Sequence, residues 1–375
     1  MNPYGAVLEG DGYVLDLSGS SHLTFVGFEI RHQGPSASGI VVYVGGSDTH
    51  HIAFRNIVFH DSYDDDILKI LDGAGSVSVR DSVFYNQGPD EHHIDVNSVT
   101  NVTIEGNIFF NDFAASGRSD PGDTKAYIVV KDSNENDDGL LGARGVRIER
   151  NVLLNWQGGL ESMIKIGNDG KPYFEARNVR IANNLVIGNS SDEAYAPIGA
   201  SGVKDVGFVN NTVVGNLPSG SYGFHVDIKD DNRRNEDILF ANNIWCDPTR
   251  TMDEFSSGDP QNTISLRLDR NLYWNGGAEL PRGELVSPSA DDARVVRDPR
   301  LPEDQQDVTL PVWDGSSFPS GSRSILEEFV RLVETYGAIP SSSPAADRAL
   351  RALSPTEDIL GRQRDVHPDL GAYEA

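Results

Sequence analysis

Lysines and carboxylates recur at matched offsets in a set of short β-prone segments, and these are the side chains of this sequence best placed to do chemistry. The segments are DILKILDG from Asp66, HIDVNSVT from His93, YIVVKDSN from Tyr127, MIKIGNDG from Met163, PIGASGVK from Pro197 and FHVDIKDD from Phe224. Strand side chains alternate between faces. Turning the apolar pairs Leu68/Ile70, Ile94/Val96, Ile128/Val130, Ile164/Ile166, Ile198/Ala200 and Val226/Ile228 inward therefore leaves two outward columns. One reads Lys69, Asp95, Val129, Lys165, Gly199, Asp227; the other reads Leu71, Asn97, Lys131, Gly167, Ser201, Lys229. His92, His93, Lys125, Tyr127, Glu161, Tyr195, Tyr222 and His225 stand just before the strands, and Asp132, Asn168 and Asp230 just after. Rows of ammonium groups, carboxylates and aromatic rings suit an extended carbohydrate, with rings packing on sugar faces and charges meeting acidic substituents. The expected substrate contacts are Asn97, Lys69, Tyr127, Tyr195, Tyr222, His225, Asp227 and Lys229. His92 and His93 point to opposite faces of a strand, so joint ligation of one metal ion is disfavoured. Acid–base work or a sugar hydrogen bond is the expected use, with His93 taken as the catalytic candidate.

The elements that carry these residues repeat. A pattern of hydrophobic, any, hydrophobic, two residues, then a second hydrophobic run occurs eight times, beginning HLTFVGFEIRH at His22 and ending DILFANNIWCD at Asp237. Its marker positions are 23, 52, 77, 102, 146, 179, 206 and 238. A second column seven residues later holds Ile30, Phe59, Phe84, Phe109, Leu153, Val186, Val213 and Trp245. Period-two hydrophobicity, β-branched and aromatic residues, and Gly, Asn and Asp at the ends read as strand, bend, strand. Successive coils in register would stack such columns about 4.8 Å apart. Asn107, Asn151, Asn184, Asn211 and Asn243 share one offset, which predicts a buried ladder bonding the backbone of its own coil and of the next. Leucine-rich repeats also carry an Asn ladder. Here, however, strands flank the Asn on both sides, Leu does not dominate the fixed positions, and the longest interval has no helical pattern.

These repeats, over roughly residues 10–275, resemble the right-handed parallel β-helix of the pectate-lyase-like superfamily. The resemblance implies an all-β, single-stranded right-handed parallel β-helix over residues 1–277. Residues 278–375 are expected to be a C-terminal loop and helix tail packing back on it. Within the tail, SRSILEEFVRLVETYG reads as one short amphipathic helix, with Ile325, Leu326, Phe329, Val330, Leu332 and Val333 apolar and Gly337 closing it. The tail is read as a cap, because an open coil end exposes unpaired strand edges. At the other end the sequence starts almost directly in a coil, leaving open whether capping sequence precedes it.

The resemblance also implies an activity, since several lyases of this superfamily cleave uronic-acid polysaccharides by β-elimination on such a strand face. The reaction needs a cation at the sugar carboxylate and a base for the proton on carbon 5. Lys131 and Lys165, on neighbouring coils, are the base candidates, with mutual repulsion expected to lower the pKa of one of them. Asp95, Asp132 and Glu161 are the expected ligands of a calcium ion. The segment ESMIKIGN carries a single Glu four residues before Lys165, and departs from the paired acids and Lys-Ser of chondroitinase- and alginate-lyase-like chains. Long corner insertions at 112–126, 133–144 and 168–177 are expected to wall the groove. The runs Asp64-Asp65-Asp66 and Asn134-Glu135-Asn136-Asp137-Asp138 read as solvated acidic corners. A glycoside hydrolase using Asp95 and Asp132 as an acid and base pair is the alternative, and a non-catalytic carbohydrate-binding or structural β-helix is the third reading.

Composition agrees with such a protein. With 57 acidic against 31 basic side chains and a formal charge of −26, phosphate neutralisation of a nucleic acid is excluded as the partner chemistry. No run approaches the ~20 apolar residues of a membrane span, and the first residues show no basic segment followed by an apolar one. The single Cys246 cannot form an intrachain disulfide. The expectation is an exported, monomeric protein, secreted or at the cell surface, acting on a polyuronate.

Overall fold

The computed structural model describes residues 4–190, 192–215, 221–251, 254–302, 305 and 307–375. Asn216, which ends the seventh repeat, and residues 303, 304 and 306 of the tail lie outside them. Three parallel sheets, of eleven, nine and nine strands, form the walls of a coil in which each strand pairs with the equivalent strand of the coils before and after it. This is an all-β parallel β-helix with one short C-terminal helix, Ile325–Leu332. The marker column Leu23, Ile52, Val77, Val102, Val146, Val179, Val206, Ile238 stays in register from coil to coil, with the Val102 and Val146 strands aligned through Thr103 and Arg147. We call its nine-stranded sheet sheet C. The second column stacks in the eleven-stranded sheet A, with Phe59 and Phe84 rings 4.5 Å apart and Phe84 and Phe109 5.1 Å apart. The third wall is sheet B.

The corners explain the polar punctuation. From Asn151 onward each Asn of the ladder accepts, on its Oδ1, the backbone N–H and side-chain amide of the preceding coil's Asn, as in Asn151 to Asn184 at 2.9 and 3.0 Å, while Asn107 accepts from the Ser82 N–H. Its Nδ2 donates to a carbonyl, that of Asn184 to Ile148 at 2.9 Å. The ladder runs one coil further than the repeats suggest, to Asn271, and ends on the buried carboxylate of Asp291. At the entry to eight of the nine sheet C strands one residue takes the left-handed conformation: His22, His51, Ser76, Asn101, Gly145, Asn178, Asp205 and Asp237 have φ between 53° and 67°. Asn and Asp tolerate this region better than other non-glycine residues, which is why they mark the bends.

The tail lies along the outer side of sheet A. Ile325, Phe329, Leu332, Val333 and Tyr336 pack with Val152, Leu154, Leu185 and Ile187, while Leu326 faces solvent. Ser324 caps the helix by accepting from the Glu327 N–H at 3.2 Å. The first Asn of each Asn-Asn pair holds this layer. Asn210 donates to the Asp369 carbonyl at 3.0 Å, Asn183 accepts from the Arg364 guanidinium at 2.9 Å, and the Asn242 carbonyl accepts from the Gly371 N–H at 2.8 Å. Leu280, Leu285 and Val286 pack against the interior of the coil.

Candidate functional site

The outward face of sheet B collects the charged residues. Its first column runs Lys69, Asp95, Val129, Lys165, Gly199 and then His225. Asp227 pairs with Ser201 in the second column instead, two residues from its expected place. A slip of one residue would turn the strand's side chains over, whereas a slip of two preserves every face, so the hydrophobic pattern is blind to it. What decides it is Phe224, which turns inward and stacks on Phe240 at 4.1 Å.

A cavity of about 410 Å³ lies over the middle coils, lined by Glu91, Lys131, Glu161, Lys165, Asp169 and Lys229, among others. Lys131 approaches Asp95 at 3.7 Å and Asp169 at 3.8 Å, both beyond hydrogen-bond length. Burial would lower its pKa, but Asp95, Asp169 and Asp66 outweigh burial and raise it. Repulsion between lysines therefore does not set its titration. Lys165 pairs with Glu161. A second cavity, of about 250 Å³, shares Glu161, Lys165 and Asn168 and extends to Leu160, Tyr195, Ser201 and His225. Tyr195 and His225 meet edge to face with centroids 4.6 Å apart, and Gly199 leaves the floor between Lys165 and His225 without a side chain.

Beside Lys131 lies a buried acidic group. Lys69 sits 2.8 Å from Asp66 and 3.3 Å from Asp95, and His92 bonds Asp66 at 2.9 Å. Against burial, these partners hold the Asp66 carboxyl far below the usual carboxylate range. Glu91 moves the other way: burial, then the charges of Asp66 and Asp65, push its pKa up to about 8. Both carboxylate oxygens of Asp95 are buried without a hydrogen bond. Ligand atoms of Asp66, His92 and Asp95 lie within 4.8 Å of one another, as do those of Asp65, Asp66 and Glu91. This group carries more negative charge than Lys69 cancels, and its carboxylate oxygens suit a hard cation.

No family model matches the sequence, and neither does any curated protein. Among solved structures, the crystal structure of pectate lyase Pel9A aligns over 95% of this chain and 71% of its own, with a TM-score of 0.53 at 14% sequence identity. The chain has the pectate-lyase-type parallel β-helix fold.

On this β-helix several expected site residues fall elsewhere. His93 points into the coil between Phe109 and Tyr127, its ring 4.5 Å from the Tyr127 ring, and its Nε2 meets Asn111 Oδ1 at 3.0 Å. Burial pushes it down to about 3, so it is a neutral core residue with no route to substrate. Tyr127 is also fully buried and donates to the Leu154 carbonyl at 3.0 Å, which removes it from the substrate contacts. Asp132 is buried and accepts from Gly142 N at 2.6 Å and Asn134 N at 3.2 Å. Its oxygens build the following loop, so it is neither a ligand beside Asp95 nor half of a hydrolytic pair. Among the described residues, no metal-binding group contains Asp132 or Glu161. Asn97 spends its amide on Ser133, and Asp227 accepts from Asn262 at 2.6 Å. Lys69 is locked among acids. Tyr222 stands beside Tyr195, 5.2 Å between centroids. The walls come from insertions 112–126 and 168–177, through Lys125, Asn168 and Asp169, and not from 133–144. Glu91 and Asp169 escaped the sequence reading, and Asp66 read as a solvated corner. The available signal was the pair Glu91-His92 one coil after Asp66, at the same offset as the strand pairing.

Proposed function

We propose that the groove on sheet B binds an acidic polysaccharide and cleaves it by β-elimination, acting as a monomer outside the cell. The observation that carries the reading is Lys131: an ammonium in the larger cavity, without a hydrogen-bonded carboxylate, beside the acidic group and one strand from Lys165. Lys131, unprotonated, removes the proton on carbon 5; the electron pair forms the carbon 4–carbon 5 double bond and expels the glycosidic oxygen on carbon 4, which takes a proton from water. Lys165 and Lys229 hold uronate carboxylates along the groove, and Tyr195 with His225 packs on a sugar at its far end. Asp66, Glu91 and Asp95 would hold a calcium ion, with His92 orienting Asp66, and the ion would neutralise the uronate carboxylate and acidify the carbon 5 proton. The chemistry of this donor set and the unsatisfied oxygens of Asp95 support that assignment. Only the fold is shared with pectate lyase Pel9A; one fold hosts many chemistries, and the groove is what favours this one.

The test is ultraviolet absorbance of unsaturated uronate on incubation with pectate, alginate, chondroitin and related polyuronates, with calcium and with chelator. Absorbance is expected from at least one polymer, with Lys131→Ala reducing kcat by roughly 10²–10⁴-fold and Lys165→Ala acting mainly on KM. Silence across the panel, or full activity in Lys131→Ala, overturns the proposal. Reducing ends without absorbance would make the enzyme a hydrolase.

A further inference from the structure

We infer that His22, His50 and His51 form a binding site for a borderline divalent transition ion, with zinc as the reference ion, separate from the groove. The three imidazoles come from the first two coils and lie at the outer edge of sheet C, where His50 pairs with Ser21. The Nδ1 atoms of His50 and His51 are 2.9 Å apart. The His22 ring stacks on that of His51 at 4.7 Å and meets His50 edge-on at 5.2 Å. One nitrogen from each of the three lies within 4.8 Å of the others. Imidazole nitrogens bound at about 2.0–2.1 Å to a shared tetrahedral zinc stand about 3.3 Å apart, so small ring rotations bring all three onto one ion.

The backbone explains how neighbours in sequence converge. In an extended strand His50 and His51 would face opposite ways. His51 instead has φ 56°, as does His22, and the left-handed bend brings both rings to one side. The later coils fill that bend with Ser76, Asn101, Gly145, Asn178, Asp205 and Asp237, residues with no imidazole to offer. The donor set is three nitrogens without a carboxylate, which selects zinc, copper or nickel over calcium. His22 and His51 are exposed and His50 half-buried, leaving a fourth position open to water. An ion there would tie together the first two coils, where the Ser21–Val26 strand has a partner on one side only.

Calorimetric titration of the full chain with zinc chloride tests this. One equivalent is expected to bind to this cluster, accompanied by a rise in Tm. His22→Asn and His51→Asn, which keep a residue suited to the bend, should weaken that equivalent by roughly tenfold or more and abolish the rise. His92→Asn, in the groove, should retain both. The inference is overturned if wild type takes up no zinc at millimolar concentration. It is equally overturned if the His22 and His51 variants bind as wild type does, or if uptake is lost in His92→Asn alone. Circular dichroism of each variant checks that the coil is intact.

Discussion

Lys131 and Glu91 are shifted upward for different reasons, and the difference sets the pH behaviour of the groove. For Lys131 three carboxylates stabilise the charged form more than burial penalises it. The reactive amine is thus scarce at neutral pH, and its fraction grows tenfold per pH unit below the raised pKa. A pH–rate profile is expected to climb with a slope near one from neutral into alkaline pH, and a flat profile would remove Lys131 as the base. For Glu91, burial and the acids beside it hold the proton on up to about 8. A cation must displace that proton, so calcium affinity is expected to rise between pH 6 and 9 and then level off. Glu91→Gln should weaken binding and flatten the dependence, as read by calcium titration at the two pH values. His93 and Tyr127 show the opposite lesson. Their types suit chemistry, but each precedes its strand at a position that turns into the coil.

Among the elements, the Asn ladder binds coil to coil and has no redundancy. Removing the amide of Asn184 takes away the acceptor of the buried Asn151 N–H and the side-chain donor to the Ile148 carbonyl, and leaves the Asn151 amide with the Ile104 carbonyl alone. Each group so orphaned costs about 1–3 kcal/mol. Asn184→Ala is therefore expected to lower stability by several kcal/mol in denaturant unfolding, with Lys131 and its cavity left chemically unchanged. A loss below about 1 kcal/mol would mean that water replaces the ladder. This ladder and the two hydrophobic columns were legible because they repeat at fixed offsets along continuous strands. The groove strands are shorter and separated by insertions, which is why Asp227 was misplaced by two residues while its outward face was right.

Across the molecule, sheet A beyond its first strands, where Glu29, Arg31 and His60 face outward, is largely apolar on both faces and hence needs its covering layer. The tail supplies it with Phe329 and Leu332, buried in one cluster with Leu185, and with Trp313 against Tyr4 near the first coil. Phe329→Ala is expected to cost about 3–5 kcal/mol, seen as a lower Tm with increased binding of a hydrophobic dye; an unchanged Tm would show that the tail is dispensable for stability. The parallel β-helix, its register in sheets A and C, the corner ladder and the outward placement of the lysines were determined by the sequence itself. Periodic burial and obligatory backbone bonding admit few other solutions when a pattern recurs in every coil. The tertiary structure alone decided which side chains meet: Asp66 with His92 and Asp95, Lys131 with Asp169, the three histidines at the edge, and the tail on sheet A. Apart from the adjacent His50 and His51, those contacts join residues 26 to 321 positions apart in the chain, through insertions of irregular length. No local pattern encodes them, because the burial and electrostatics that pair them exist only once neighbouring coils have stacked.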